Sequence, residues 1–376
     1  MQPLKVAFRV DASLQMGTGH VMRCLTLANA LKVRGAECQF ICREHPGNLI
    51  AYIRSEGFQI HVLPLMESTA AELIDFKVSK IEPQLAHATW LGATQRNDAD
   101  ECSAILSELK FDWLIVDHYA LDVRWEVALK RHYRKLMVID DLADRPHQCD
   151  ILLDQTFGRE SKAYAPWIPD ACILLCGSRY SLLRPEFAAL RAYSIERRKE
   201  PHLEHLLITM GGVDKDNATG QVLQALKSTE LPANCRITVV MGTTAPWLAE
   251  VRKQAKQMPW ATTVQVGVSN MAQLMADSDL AIGAAGATTW ERCCLGLPTV
   301  LVVLADNQKM AAETLDKAQA VVILSLKKHL ITELALIIEN LRYNTRRLKR
   351  ITEHAKIITD GTGSQLVASM LYMSNI

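Results

Sequence analysis

The stretch LKVAFRVDASLQMGTGHVMRCLTLANAL, Leu4–Leu31, holds a strand, a glycine turn and a helix in immediate succession. Leu4–Val10 is mostly apolar and reads as a strand. Val21, Leu25, Ala28 and Leu31 then recur at helical spacing, and Gly35 ends the helix. ECQFICR (Glu37–Arg43) and FQIHVLP (Phe58–Pro64) read as the next strands. Repeated strand–helix–strand order implies an α/β fold with mostly parallel strands.

The same order continues in WLIVDHY (Trp113–Tyr119), KLMVIDDLA (Lys135–Ala143), CDILLDQ and ACILLCG, all read as strands. VRWEVALKRHY reads as a helix. A charged, turn-rich segment follows, YSLLRPEFAALRAYSIERRKEPHLE, and the order then restarts in HLLITMGGVDKDNATGQVLQAL (His205–Leu226). RITVVMG, TVQVGV and MAQLMADSDLAIGAAGATTWERCCLGLPTVLVVL extend the second series. Two Rossmann-like domains facing a cleft are therefore expected, over residues 1–190 and 200–376, the second carrying the C-terminal helices. Ligands of such sheets bind beyond the carboxyl ends of strands. That rule selects Asp11, the loop Gly17–His20, Asp117–Tyr119, Gly211–Gly212, Gly242 and Gly283–Glu291.

Composition narrows the function. The 376 residues carry a formal charge of +1, with 49% hydrophobic and 22% charged residues. A near-neutral chain lacks the basic surface of a general nucleic-acid binder. No apolar run is long enough to span a membrane. The N-terminus runs straight into a strand without the parts of a signal peptide, so a cytoplasmic location is expected. The 10 cysteines form no C-x-x-C pair and read as reduced, mostly buried thiols.

In the first loop, Gly17 and Gly19 permit a tight turn and close approach of a ligand to backbone. The following helix start favours a phosphate. The spacing is neither the dinucleotide fingerprint nor a Walker A loop, so the glycines alone also fit a plain structural turn. His20 sits where the helix dipole disfavours a cation, so a neutral imidazole able to accept a proton is expected. A hydrogen-bonded loop histidine is the bland alternative. Asp11 is a candidate neighbour that fixes the tautomer or binds ligand, or a strand-end turn residue. Arg23, one helical turn beyond His20, fits a phosphate contact or an acid partner. Tyr119 fits a sugar contact, a water-orienting group or a packed wall.

In the second half, Gly211 and Gly212 resemble an anion nest ahead of a helix. Gly286 lies in a small-residue loop before Thr288 and Thr289. Thr288 and Glu291 have capping-box spacing; the alternative for Glu291 is a carboxylate on a ribose. Asn307 and Gln308 follow the next strand as polar candidates for the sugar or for loop support. Trp290, Cys293 and Leu297 read as core.

Together, RVDASLQMGTGHVMRCLTLANAL, VDHYALD, VIDDLADRPHQCDILLDQ, LLCGSRYSLLRPEF, ITMGGVDKDNAT and GAAGATTWERCCLGLPTVLVVLADNQ resemble a known family. It is that of the UDP-2,4-diacetamido-2,4,6-trideoxy-β-L-altropyranose hydrolases of pseudaminic acid biosynthesis. The resemblance runs from about residue 5 to residue 365. It implies a glycosyltransferase-B-like fold with the nucleotide held mainly by the C-terminal domain. It further implies hydrolysis of the UDP-sugar with anomeric inversion. Separately, neither cofactor nor metal is expected, the cysteines lacking metal-ligand spacing and Asp140–Asp141 lacking further ligands. His20 matches the family's water-activating histidine, Asp11 the opening aspartate and Tyr119 the tyrosine of DHY. Glu291 is implied at the ribose, and Asn307 and Gln308 near sugar or phosphates. Ala285–Gly286–Ala287 departs from the family's frequent glycine pair and serine. The small-molecule partner is a UDP-sugar, and a monomer is expected. The rivals are a UDP-sugar glycosyltransferase of the same fold and a non-catalytic nucleotide-sugar binder.

Overall fold

The computed structural model describes residues 3–65, 85–108, 110–326 and 329–374. Residues 66–84 and 109 thus lie outside the described residues.

The first series runs β1 (Lys5–Val10), α1 (Gly19–Val33), β2 (Glu37–Arg43), α2 (Ile50–Ser55), β3 (Gln59–Leu63), α3 (Gln95–Glu108), β4 (Phe111–Asp117), α4 (Val123–Ala128), β5 (Tyr133–Ile139), β6 (Ile151–Asp154) and β7 (Ile173–Cys176). All strand pairs are parallel, in the order β3-β2-β1-β4-β5-β6-β7. Continuous apolar runs such as Leu114–Val116 suit strands covered on both faces, and these residues are buried. Sheet order reverses between β1 and β4, which makes their carboxyl ends the crevice of a doubly wound sheet.

The second series runs α5 (Pro185–Arg197), β8 (His205–Thr209), α6 (Ala218–Leu226), β9 (Arg236–Met241), α7 (Leu248–Ala255), β10 (Ala261–Val266), α8 (Met271–Asp277), β11 (Leu280–Ala284), α9 (Thr288–Cys294), β12 (Thr299–Val302), α10 (Lys309–Lys317), β13 (Val322–Leu324), α11 (Leu330–Tyr343), α12 (Thr345–Ala355) and α13 (Gly363–Met373). Its parallel sheet has the order β10-β9-β8-β11-β12-β13, with the reversal between β8 and β11. Trp290, Cys293 and Leu297 lie in its core, as their spacing implies.

The compact units differ from the expected 1–190 and 200–376. One comprises Met1–Gln155, Arg159–Cys176 and Gln365–Ile376, the other Thr156–Gly158 and Gly177–Ser364. Two local causes explain this. The turn-rich boundary segment contains a helix, α5, opened by Pro185 in the first turn, where a missing N–H costs nothing. Beside it, buried Arg198 donates to the carbonyls of Met275, Ala276 and Ser278 at 2.7–3.1 Å. These are the orphan acceptors at the end of α8, so the segment belongs to the second unit. At the other end, Val367, Ala368 and Leu371 are buried. Leu371 accepts the indole N–H of Trp113 on β4 at 3.2 Å, which assigns the chain's end to the first unit.

All ten cysteines are free thiols, with Cys38, Cys172 and Cys176 partly exposed and the others buried. No helix among the described residues is long and apolar enough to cross a membrane.

Candidate functional site

The turn after β1 is built locally. Ser13 Oγ accepts from the N–H groups of Gln15 and Met16 at 3.1 and 3.0 Å, and Gly17 N–H returns to the Ser13 carbonyl at 2.8 Å. Gly17 has φ +78°, a conformation that a side chain would strain. The helix then begins at Gly19, so His20 stands in its first turn.

His20 Nδ1 lies 2.6 Å from Asp117 Oδ1 at the end of β4. Burial pushes the Asp117 carboxyl up, but Arg23, His20 and their hydrogen bonds outweigh it and hold it well below the usual carboxylate range. An ionised carboxylate only accepts, so Nδ1 carries the proton. In a neutral ring Nε2 would then carry the lone pair; it makes no hydrogen bond among the described residues. This is the arrangement of a base oriented by an acid.

Arg23 fixes the acid in turn. Its Nε and Nη2 reach the two Asp117 oxygens, each at 2.6 Å. Its Nη1 reaches Asp141 Oδ2 at 3.2 Å. The guanidinium thus bridges two carboxylates, the acid-partner alternative of its two readings. Tyr119 donates its hydroxyl to Asp141 Oδ1, and its ring meets His20 edge-on at 4.7 Å. Burial and Asp141 push the Tyr119 phenol above its ordinary range, so it stays a neutral donor.

Asp11 is placed differently from its expected position beside His20. Its Oδ1 accepts the Arg43 N–H at 2.6 Å and pairs with Arg9 Nη1 at 2.7 Å. Its Oδ2 faces His118 Nε2 at 3.3 Å and His45 Nε2 at 3.6 Å. Burial raises its carboxyl, yet Arg9, His118 and His45 together hold it well below the carboxylate range. Asp11 thus ties the ends of β1 and β2 together, and Asp117 is the carboxylate that meets His20. Beneath it, fully buried Arg9 and Arg43 share Asp98, at 2.6 and 2.8 Å, so the charges under the site are paired, as buried charges must be.

In the second unit, Gly211 has φ +90° and Gly212 follows it. The helix start beyond them is already occupied. Asp214 accepts from the N–H groups of Ala218 and Thr219 at 2.8 and 2.9 Å, and Asn217 Oδ1 accepts from Gly220 at 3.0 Å. These caps occupy donors of the helix start, whereas the N–H groups of Gly211 and Gly212, the ones the anion-nest reading assigned to a diphosphate, have no hydrogen-bond partner among the described residues.

The loop after β11 is open as well. Among the described residues, the N–H groups of Gly286, Ala287 and Thr288 have no hydrogen-bond partner. A Cβ added to Gly286 would meet nothing within 4 Å. The capping box of Thr288 and Glu291 does not form, because Ala287 is the N-cap and Thr288 is already helical. Thr288 and Thr289 Oγ1 instead accept from buried Arg292 at 3.4 and 3.2 Å, and Arg292 Nη2 donates to the Ala284 carbonyl at 2.7 Å. Glu291 is left half-buried, with Arg184 Nη2 3.8 Å away. Burial pushes its carboxyl up to about 7, against the lowering effect of Arg184 and Arg292. Gln308 Oε1 accepts from Leu304 N–H at 3.0 Å and supports its own loop, while Asn307 is exposed.

Among the described residues no group of three or more His, Cys, Asp or Glu stands together to hold a metal. A groove of about 650 Å³ on the second unit is lined by none of the residues singled out in the sequence. The sequence reading missed the pairing of Asp117 with His20, the contacts of Asp141 with Arg23 and Tyr119, and the rings of His87 and Trp90 near Tyr119. Their only local signal was position just beyond a strand or before a helix.

Residues 205–362 match the glycosyltransferase family 28 C-terminal domain. The chain is 28% identical over 315 residues to a UDP-2,4-diacetamido-2,4,6-trideoxy-β-L-altropyranose hydrolase of Campylobacter jejuni, covering 84% of this chain and 97% of that one. It is 26% identical over 310 residues to the uncharacterized protein MJ1062 of Methanocaldococcus jannaschii, covering 81% of this chain but 57% of that longer protein. The crystal structure of Acinetobacter baumannii MurG aligns with a TM-score of 0.71 at 16% identity, over 99% of this chain and 100% of that one. The chain is a protein of the glycosyltransferase-B fold, related to UDP-sugar-processing enzymes.

Proposed function

We propose that this protein cleaves the bond between a sugar's anomeric carbon and UDP, with His20 taking the proton of the attacking hydroxyl group. The observation that carries this reading is the His20–Asp117 pair, 2.6 Å apart. Asp117 holds Nδ1–H and leaves Nε2 to accept. As the nucleophile attacks, the imidazole becomes cationic and the buried carboxylate stabilises it. The diphosphate leaves as a stable anion, so no paired general acid is required, unlike in ordinary glycosidases. The free N–H groups of Gly286–Thr288 are assigned to the diphosphate, and Glu291 to the ribose hydroxyls.

Two nucleophiles fit this chemistry. Taken together, the comparisons favour an acceptor hydroxyl: the matched domain family is one of glycosyltransferases, and the fold is shared with a UDP-glucosyltransferase of Polygonum tinctorium. Water is favoured by the match along 97% of the Campylobacter hydrolase and by the GTGH and DHY motifs. In the hydrolytic reading the substrate is UDP-2,4-diacetamido-2,4,6-trideoxy-β-L-altropyranose, a precursor of pseudaminic acid. The products are UDP and the free altrose, with inversion.

The test is incubation of that UDP-sugar in ¹⁸O-water without an acceptor. Release of UDP with label on the sugar supports hydrolysis. Release only after an acceptor alcohol is added supports transfer. Label on UDP overturns attack at the anomeric carbon. A His20→Asn variant that binds UDP yet retains near-full turnover removes His20 from the mechanism.

A further inference from the structure

Resting on the reading that the substrate is a UDP-sugar, we propose that Trp90 and His87 form the wall on which the sugar ring packs, beside the base His20. Both belong to a short turn, Ala88–Leu91 and its preceding residue. The turn is rigidly set. Leu91 is buried as its anchor, Trp90 N–H bonds the His87 carbonyl at 2.9 Å, and Gly92 closes it at φ +67°. A Cβ there would meet His45 at 2.7 Å.

The rings touch one another in sequence from the base, through buried Tyr119 to the more exposed Trp90 and His87. Tyr119 lies 4.7 Å from His20. Trp90 stacks on Tyr119 at 5.7 Å and an interplanar angle of 30°. His87 lies 4.4 Å from Trp90 and 5.3 Å from Tyr119. A cluster that served only as core would bury these rings and occupy their N–H groups. Trp113 and Trp125 do so: both are fully buried, and their indoles bond Leu371 and Asp98. Trp90 and His87 are instead partly exposed. Among the described residues, neither the Trp90 indole N–H nor the His87 ring nitrogens has a hydrogen-bond partner. A flat apolar face with free polar edges suits a sugar, whose C–H face stacks while its hydroxyl or amide edge bonds.

The wall contacts the sugar and not the nucleotide, so its loss separates the two. Calorimetric titration compares UDP with UDP-glucose, UDP-N-acetylglucosamine and the UDP-diacetamido-trideoxy-altrose, on wild type, Trp90→Ala, Trp90→Phe and His87→Ala. The best-bound UDP-sugar is expected to weaken about tenfold in Trp90→Ala, with UDP unchanged and Trp90→Phe close to wild type. Where turnover is measurable, KM rises while kcat holds. UDP-sugar binding at wild-type strength in both alanine variants overturns the proposal. So does equal weakening of UDP, which marks a structural role, or a wild type that binds no UDP-sugar more tightly than UDP. Sugar-selective loss in a protein that turns over no UDP-sugar leaves the wall standing and defeats the proposed reaction. Turnover with unchanged variants defeats the wall alone.

Discussion

His20 Nδ1 and Asp117 Oδ1 are 2.6 Å apart although 97 positions separate them in the chain. Adjacent parallel strands β1 and β4 bring them together, with Val10 opposite Asp117. An amide in place of Asp117 would no longer require a proton on Nδ1 and would remove the charge that steadies the imidazolium. Asp117→Asn is therefore expected to lower kcat by about 10²–10⁴-fold, with UDP affinity unchanged. Steady-state kinetics and UDP titration check this. A kcat within threefold of wild type would remove Asp117 from the catalytic unit.

Arg23 holds Asp117 and Asp141 together. Replacing it by leucine leaves a fully buried carboxylate without its guanidinium, and such uncompensated charges cost about 3–5 kcal/mol. Arg23→Lys keeps the charge but loses the two-pronged contact, so its cost is expected to be smaller. Urea unfolding monitored by circular dichroism orders the three proteins. A leucine variant as stable as wild type would mean that Asp117 takes up a proton instead of standing ionised.

The outline of both sheets was legible because strand burial and helix spacing are local patterns. Glu37–Arg43 has the bounds its apolar run implies, and the glycines of the first loop mark a real turn. Partnerships were not local. Asp11 and Asp117 both end apolar strands, and nothing in either strand says which of them faces His20. That choice depends on Arg9, Arg43, His45 and His118 closing around Asp11. Helix α5 was hidden by its charges: the segment looks like a linker until Arg198 finds the carbonyls at the end of α8. The Thr288–Glu291 spacing likewise has two outcomes, and the start of the helix one residue early decides against the cap.

Gly283 and Arg292 make a second coupled pair. A Cβ on Gly283 would press into Arg292 Nη1, and Arg292 is fully buried. Gly283→Ala is expected to cost about 1–3 kcal/mol by overpacking. In an Arg292→Ala background the space is vacated, so the same substitution should cost less than half as much. A double-mutant cycle by urea unfolding measures the difference. Strict additivity would place the strain elsewhere, in the backbone of β11.

Glu291 carries a pH signature. Its folded carboxyl titrates at about 7, whereas an unfolded chain gives about 4.3. Between those values the folded protein holds a proton that the unfolded chain has released. This contribution to stability is fully present below about 4.3 and is lost as pH rises through about 7. Glu291→Gln is expected to abolish that slope, which urea midpoints at pH 5 and pH 8 would register. Nucleotide binding should run the opposite way. A carboxylate accepting two ribose hydroxyls must be ionised, so UDP affinity in wild type should fall as pH drops below about 7, approaching tenfold per unit. The Gln variant retains only the nucleotide's own titration, and subtracting its profile isolates the carboxylate. Parallel affinity profiles for the two proteins between pH 5 and pH 8 would take Glu291 away from the ribose.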